Sequence, residues 1–170
     1  MIELVPMTPA FIEAVLADRR GEAAELLEID LPAEFPAEGE RGFLAMRLRQ
    51  MHEDVRFQQW CPHVVVLDGQ MIGHAGFHGP PGVNSTHNPA AVEYGYTIYP
   101  AWRRRGYATA ASKMLMDFAE EWDGIRHFVL SVAPDNEPSL AIVRKFGFVR
   151  TGQRMDDVDG LEHIFELVRD

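Results

Sequence analysis

The tightest constraint on the fold is the run from Val92 to Ala133, which leaves room for a strand, a turn, a helix and a second strand and for little else. Val92, Tyr94, Tyr96 and Ile98 alternate with Glu93, Gly95, Thr97 and Tyr99, the period-two pattern of a strand, and Pro100 ends it because proline has no amide to give to a ladder. From Gly106 to Trp122 the spacing of Tyr107, Ala111, Met114, Leu115, Phe118 and Trp122 predicts one apolar face of a helix. His127–Ala133 then reads as a strand again. Strand, helix and strand in immediate succession demand a sheet with helices packed on it.

The flanking elements extend that sheet. Ile2–Met7 predicts a strand, and Thr8 followed by Pro9 is a cap and first-turn pair for a helix over Phe11–Ala17. Gly21–Arg56 reads as mostly helical, broken in two around Pro32 and Pro36. His63–Leu67 and Met71–Phe77 are strand candidates joined by Asp68-Gly69, and the prolines and glycines of Gly79–Pro89 predict a loop. Asn136 caps a helix with Pro138 in its first turn and Gly147 past its end. Phe148–Arg154 and Leu161–Val168 form a hairpin across Asp157–Gly160. The expected fold is therefore α/β (α+β): one domain over residues 1–170, with a mixed, mostly antiparallel, twisted sheet of about six to seven strands and helices on both faces.

Composition narrows the function classes. A net charge of −10 argues against a nucleic-acid partner, which requires a basic face, and favours attraction of cations such as amines. No stretch approaches the roughly 18 apolar residues of a membrane span, so no membrane partner is expected. The start of the chain, without a basic lead and apolar run, is unlike a secretory signal, which makes the cytoplasm the expected location. Cys61 is the single cysteine: it excludes an internal disulfide and a cysteine-based zinc site, and it reads as a small buried hydrophobe. His74 and His78 are four apart but on a strand, and His63, His87 and His163 are scattered, so no metal site is expected. These histidines read as loop or pocket-lining groups. Phe35, Phe43 and Trp60 read as core aromatics.

Chemistry concentrates in Pro100-Ala-Trp-Arg-Arg-Arg-Gly-Tyr-Ala-Thr109. The first turn of a helix presents unpaired N–H groups and the positive end of its dipole, so three arginines there oppose the bare helix. An anion removes that conflict, and Gly106 and Ala108 keep bulk away from it. The segment therefore predicts a pyrophosphate socket. Neither G-x-x-x-x-G-K-[ST] nor a G-x-G-x-x-G following a strand is present, so the other common phosphate-binding folds lack their motifs.

Arg103-x-x-Gly106-x-Ala108 resembles the R/Q-x-x-G-x-G/A signature of the GNAT N-acetyltransferase superfamily, and its neighbours fit. A strand ending in Ile98-Tyr99-Pro100 precedes it; a helix, a strand, Asn136-Glu-Pro-Ser139 and Ile142-Val-Arg-Lys-Phe-Gly147-Phe148 follow in the family's order. Tyr94-Gly95-Tyr96 and Gly106-Tyr107-Ala108-Thr109 are most similar to the RimJ/RimL-type branch, the ribosomal-protein N-terminal acetyltransferases. The resemblance implies a cofactor-binding core over about residues 92–148 and an acetyl-CoA-dependent transfer to a primary amine by direct attack in a ternary complex. It implies that amides of Arg104, Arg105, Gly106, Tyr107, Ala108 and Thr109 hold the coenzyme A pyrophosphate, with Arg103, Arg104 and Arg105 adding charge. Ile98 and Tyr99 would bond the pantetheine arm and supply an amide to the thioester oxygen, while Asn136, Ser139, Val143 and Phe146 would line the coenzyme channel.

An amine reaches neutral pH largely protonated, so a base is needed, and the resemblance puts Glu93 in that role, acting through a water. Many relatives carry a tyrosine acid seven residues after the asparagine; this chain has Val143 there, which leaves Tyr107, Ser139 or water for that task. The missing tyrosine also leaves open a second reading, a catalytically inactive CoA-binding sensor of the same fold. The expected partners are an amine acceptor, small molecule or protein N-terminus, and a second copy pairing through the apolar edge of the C-terminal hairpin.

Overall fold

The computed structural model describes every residue from Met1 to Asp170. Its seven strands are β1 (Ile2–Pro6), β2 (Pro62–Leu67), β3 (Gln70–Phe77), β4 (Ala91–Ile98), β5 (His127–Val132), β6 (Val149–Asp156) and β7 (Gly160–Val168). They run in the order β1-β2-β3-β4-β5-β7-β6. β4 and β5 are parallel; β1–β2, β2–β3, β5–β7 and β6–β7 are antiparallel. Chain contacts fall into two compact units, Met1–Gly76 with Tyr96–Ala111 and Phe77–Gly95 with Ser112–Asp170.

In the first unit, helix α1 (Pro9–Leu16) starts as its sequence requires, with Thr8 Oγ1 accepting from Phe11 N at 3.2 Å and proline in the first turn. The region expected as helical and broken in two around Pro32 and Pro36 is α2 (Arg20–Leu27) and α3 (Glu38–Glu53) on either side of those prolines, followed by the single turn α4 (Arg56–Gln59). Asp18 and Glu28, both at positive φ, make breaks that no proline announces. Arg20 then fastens the proline-rich link, donating to the carbonyls of Pro32 (2.8 Å) and Phe35. Phe11, Ile12 and Val15 of α1, Leu44 and Met51 of α3, and Val64 and Val66 of β2 pack together with Phe35 and Cys61. Phe43 is only half-buried, at the margin of that core, whereas Trp60 is buried. Burial pushes the Cys61 thiol up to about 11. β3 lies so close to β4 that a Cβ on Gly73 would run into the carbonyl oxygen of Thr97 and stand 3.0 Å from Ile98 Cα.

In the second unit, Tyr94 makes edge contacts with Phe128 and Phe148, each with ring centres 6.4 Å apart. Six residue pairs join β5 to β7, from His127 opposite Val168 to Val132 opposite His163. The β4–β5 ladder is shorter: its pairs end at Glu93 opposite Val129, although β4 runs on to Ile98 and β5 to Val132. Helix α5 (Tyr107–Asp123) buries Ala111, Leu115, Met116 and Ala119. Trp122, expected on that face, is exposed; it stands in the last turn, beyond the packed stripe, and stacks on Phe118. Helix α6 (Glu137–Phe146) ends at Gly147 with φ 81°, as the C′ glycine predicts. No helix is long and apolar enough to cross a membrane.

Candidate active site

The turn expected to hold an anion has a distinctive backbone conformation. After Tyr99 a short 3-10 turn, Pro100–Trp102, redirects the chain, and the next four residues place Arg104 (φ 62°) and Gly106 (φ 82°) in the left-handed region. Left-handed residues this close together can turn nearby N–H groups to one side of the chain, an arrangement suited to anions. The first intrahelical bond of α5 is from Ala110 N to Gly106 O (3.0 Å), so the amides of Tyr107 to Thr109 precede the helical ladder. Gly106 is thus required by its φ, and a Cβ there would meet nothing within 4 Å. The arginines divide their work. Arg103 Nε donates to Ile98 O (2.8 Å) and ties the turn to the end of β4, Arg105 lies over the Trp102 ring at 5.5 Å, and all three remain exposed.

One expectation about β4 is corrected. Tyr99 N is consumed by Ile72 O at 2.9 Å, so this amide is not the donor for a thioester oxygen. Alternation along the strand turns the Ile98 amide to the opposite edge. The Tyr99 hydroxyl donates to Glu40 Oε2 (2.9 Å), whose other oxygen accepts from Ala37 N at the start of α3. His74 Nε2 stands 3.0 Å from the same Oε2, and its ring stacks on Phe43 at 5.7 Å. Burial pushes the Glu40 carboxyl up, and the bonds from His74, Ala37 and Tyr99 together bring it below the usual range.

In the second unit Glu93 is not a solvent-facing carboxylate of an alternating strand: the residue is 1% exposed. Its Oε2 accepts from Ser85 N (2.6 Å) and Ser85 Oγ (2.7 Å), its Oε1 accepts from Ser131 Oγ (2.6 Å), and His78 Nδ1 stands 3.6 Å from Oε1. Burial raises the Glu93 carboxyl, but the facing His78 and the serine donors outweigh it, and the net direction is below the usual carboxylate range. The group is a buried, hydrogen-bonded anion.

The loop that delivers Ser85 is ordered by Asn84. Asn84 Oδ1 accepts from Thr86 N, Thr86 Oγ1 and Asn88 N at 2.8–3.2 Å, while its Nδ2 donates to the carbonyls of Asn88 and Ala91. Sequence reasoning singled out Glu93 but not Ser85, Ser131 or the orientation of His78. The run Asn84-Ser-Thr-His-Asn88 carried the available signal, since Asn, Ser and Thr bond their own local backbone in ordered turns. On α6, Asn136 Oδ1 accepts from Ser139 N at 3.3 Å as an N-cap; Ser139 and Phe146 are half-buried and Val143 is buried. His74 and His78 pair with different carboxylates, and no group of three or more His, Cys, Asp or Glu side chains is placed to hold a metal ion.

Residues 2–149 match the family model described as an acetyltransferase (GNAT) domain. Among curated proteins the chain is 25% identical over 85 residues to the L-amino acid N-acetyltransferase AaaT of Escherichia coli, covering 50% of this chain and 51% of that protein. It is 30% identical over 94 residues to the Escherichia coli spermidine N(1)-acetyltransferase, covering 55% of this chain and 48% of that protein. The chain thus spans about half the length of the curated relatives it matches. Among solved structures, Mycobacterium smegmatis RimJ in complex with CoA-disulfide superposes with a TM-score of 0.67 at 20% identity, over 98% of this chain and 81% of that one. With the family pattern extending across all but the last strand and most of the one before it, the chain belongs to the GNAT acetyltransferase family.

Proposed function

We propose that this domain transfers an acetyl group from acetyl-CoA to a primary amine by direct attack in a ternary complex. The observation that carries the reading is the turn from Arg103 to Gly106: two left-handed residues open α5, three exposed arginines surround it, and it follows a strand whose parallel ladder stops short. A diphosphate suits that turn by charge and by main-chain conformation. The amides of Arg104 to Thr109 would hold it, with Arg104 and Arg105 free to add charge and Arg103 fixing the turn. The assignment of Asn136, Ser139, Val143 and Phe146 to the same co-substrate rests on the family resemblance.

Acetyl-CoA supplies an activated acyl group and a thiolate leaving group with a pKa of about 8.5. The Ile98 amide is the candidate donor to the oxygen on which charge grows, a contribution of about 3–4 kcal/mol for one such donor. The amine must shed a proton before it attacks, and the Glu93 cluster carries the fixed negative charge that draws that proton in. Amino acids, polyamines and peptide N-termini all present the required group.

Titration calorimetry with CoA and with ATP, followed by thiol release from acetyl-CoA across an amine panel, tests this. Saturable binding of CoA with no binding of ATP, and thiol release that depends on the amine, is the expected result. Absence of CoA binding removes the assignment. Stabilisation by acetyl-CoA without thiol release for any amine would mark the domain as a sensor, the reading favoured by Val143 in the position where relatives carry a tyrosine.

A further inference from the structure

His127, the first residue of β5, is held on both sides of its ring. Its Nε2 lies 2.8 Å from Glu166 Oε1 on β7, and its Nδ1 lies 3.1 Å from Asn88 Nδ2. The Asn88 side chain fixes which ring nitrogen carries the proton. Asn88 Oδ1 already accepts from Ala90 N at 2.9 Å, so the amide turns its NH2 group to the ring and needs an acceptor there. Nδ1 is therefore bare, and the proton on Nε2 is donated to the Glu166 carboxylate. The neutral ring satisfies both neighbours; the cation satisfies one. A proton on Nδ1 sets donor against donor, and turning the Asn88 amide over to receive it would set its NH2 group against Ala90 N and forfeit that bond.

Asn88 closes the loop that reaches Glu93. Its N–H donates to Asn84 Oδ1 (3.2 Å), its carbonyl accepts from Asn84 Nδ2 (2.8 Å), and Ser85, inside that closure, gives its N–H and its hydroxyl to Glu93 Oε2. Every one of these groups belongs to the second unit. We propose that His127 is a proton-operated latch on this loop, a positioning residue that acts through Asn88. Neutral, it holds Asn88 and with it the turn that delivers Ser85 to Glu93; taking a proton from water at Nδ1, it keeps Glu166 and lets Asn88 go. The side chain is 23% exposed, so water reaches it. The effect on turnover rests on the amine-acetylation reading above; the latch itself does not. Glu166 is the charged group bonded to the ring. On the adjoining strands His127 stands opposite Ala91 and Val168, while Arg126 and Arg169 are engaged by Glu120 and Asp117 of α5. In the loop itself His87 is exposed, and beyond it His78 faces Glu93.

The test uses the full chain. Nitrogen-15 NMR should show the neutral His127 ring as the Nε2–H tautomer and follow its titration apart from those of His78 and His87. Hydrogen exchange, corrected for its intrinsic dependence on pH, should show protection of the Thr86, Asn88 and Ala90 amides falling about tenfold as His127 gains its proton. H127N keeps an acceptor close to the place of Nδ1 and does not titrate, so its loop should stay protected through the same range. H127L offers no acceptor and should show the loss at every pH. Turnover is read with acetyl-CoA and whichever of L-methionine, spermidine and an alanine-initiated peptide gives the fastest thiol release. In the wild type kcat should fall about 3–10-fold along the His127 titration, and that component should vanish in H127N. The Nδ1–H tautomer in the neutral ring, protection indifferent to the His127 titration, or an H127N protein that keeps the same acid limb overturns the proposal. Wild-type NMR and exchange decide the matter even where a variant fails to fold. Failure of every amine with wild-type protein defeats the acetylation reading instead, and the tautomer and exchange results then decide the latch alone.

Discussion

Two of the chain's carboxylate–histidine pairs, Glu40 with His74 and Glu93 with His78, are built from similar parts, and they differ in which component is covered. At the first pair both side chains are almost equally screened, 17% and 16% exposed; Glu40 is spent on a helix cap, a tyrosine hydroxyl and the ring, and the ring is also stacked on Phe43. At the second, the carboxylate is sealed at 1% exposed while the histidine side chain is 34% exposed. A pair closed on both sides serves architecture. The nitrogen that faces the carboxylate also differs, Nε2 in His74 and Nδ1 in His78.

The largest expected effect breaks the comparison at its root. Strand β3 carries His74 and leads into His78, and G73A would force a methyl group into the Thr97 carbonyl. A loss of about 3 kcal/mol or more in urea unfolding is expected, since backbone cannot yield to overpacking as a side chain can. A third histidine provides a control of nearly equal size. Burial pushes His63 down to about 4, from an ordinary 6.5, so the unfolded chain takes up a proton that the folded one refuses. The associated stability is whole above pH 6.5 and drains away as pH falls toward 4, by about 3 kcal/mol at most. Denaturant midpoints measured across that range should fall in the wild type and flatten in H63Q.

Next in size is the contrast between the two carboxylates. E93Q should cut kcat/KM about 10–100-fold, while E40Q should leave turnover within about twofold and lose stability instead. Equal effects on turnover would erase the distinction drawn between the pairs. Both carboxyls lie below the usual range when folded, so each adds stability that is present above pH 4.5, the ordinary value, and is lost as pH drops through the folded value. The smallest effect is Y99F, which removes one bond to Glu40 and should cost about 1 kcal/mol, read as a shift in thermal midpoint.

What was legible in the sequence was local. Pro100, Gly106, Asn136 and Gly147 each specify a backbone event within a few residues, and each stands where its chemistry predicts. The strand–helix–strand run and the sheet it implies follow from the same short-range periodicity. The setting of Glu93 does not, because it depends on a loop eight residues earlier and a parallel neighbour 38 residues later. No pattern within β4 distinguishes a sealed carboxylate from a solvated one. Trp122 was misjudged for a related reason: helical phase says which residues align but not where the packed face ends. The amide of Tyr99 was lost to β3 because strand pairing, invisible in a single segment, decides which edge of β4 is occupied.

The burial of Cys61, 2% exposed with its thiol pushed up to about 11, has a practical corollary. A thiolate that scarce at neutral pH reacts slowly with disulfide reagents while the core is intact. Colour developed in a CoA-release assay should therefore come from product, and its slow background would report how often the first unit opens. The protein carries, in one sulfur atom, a built-in clock for its own local unfolding.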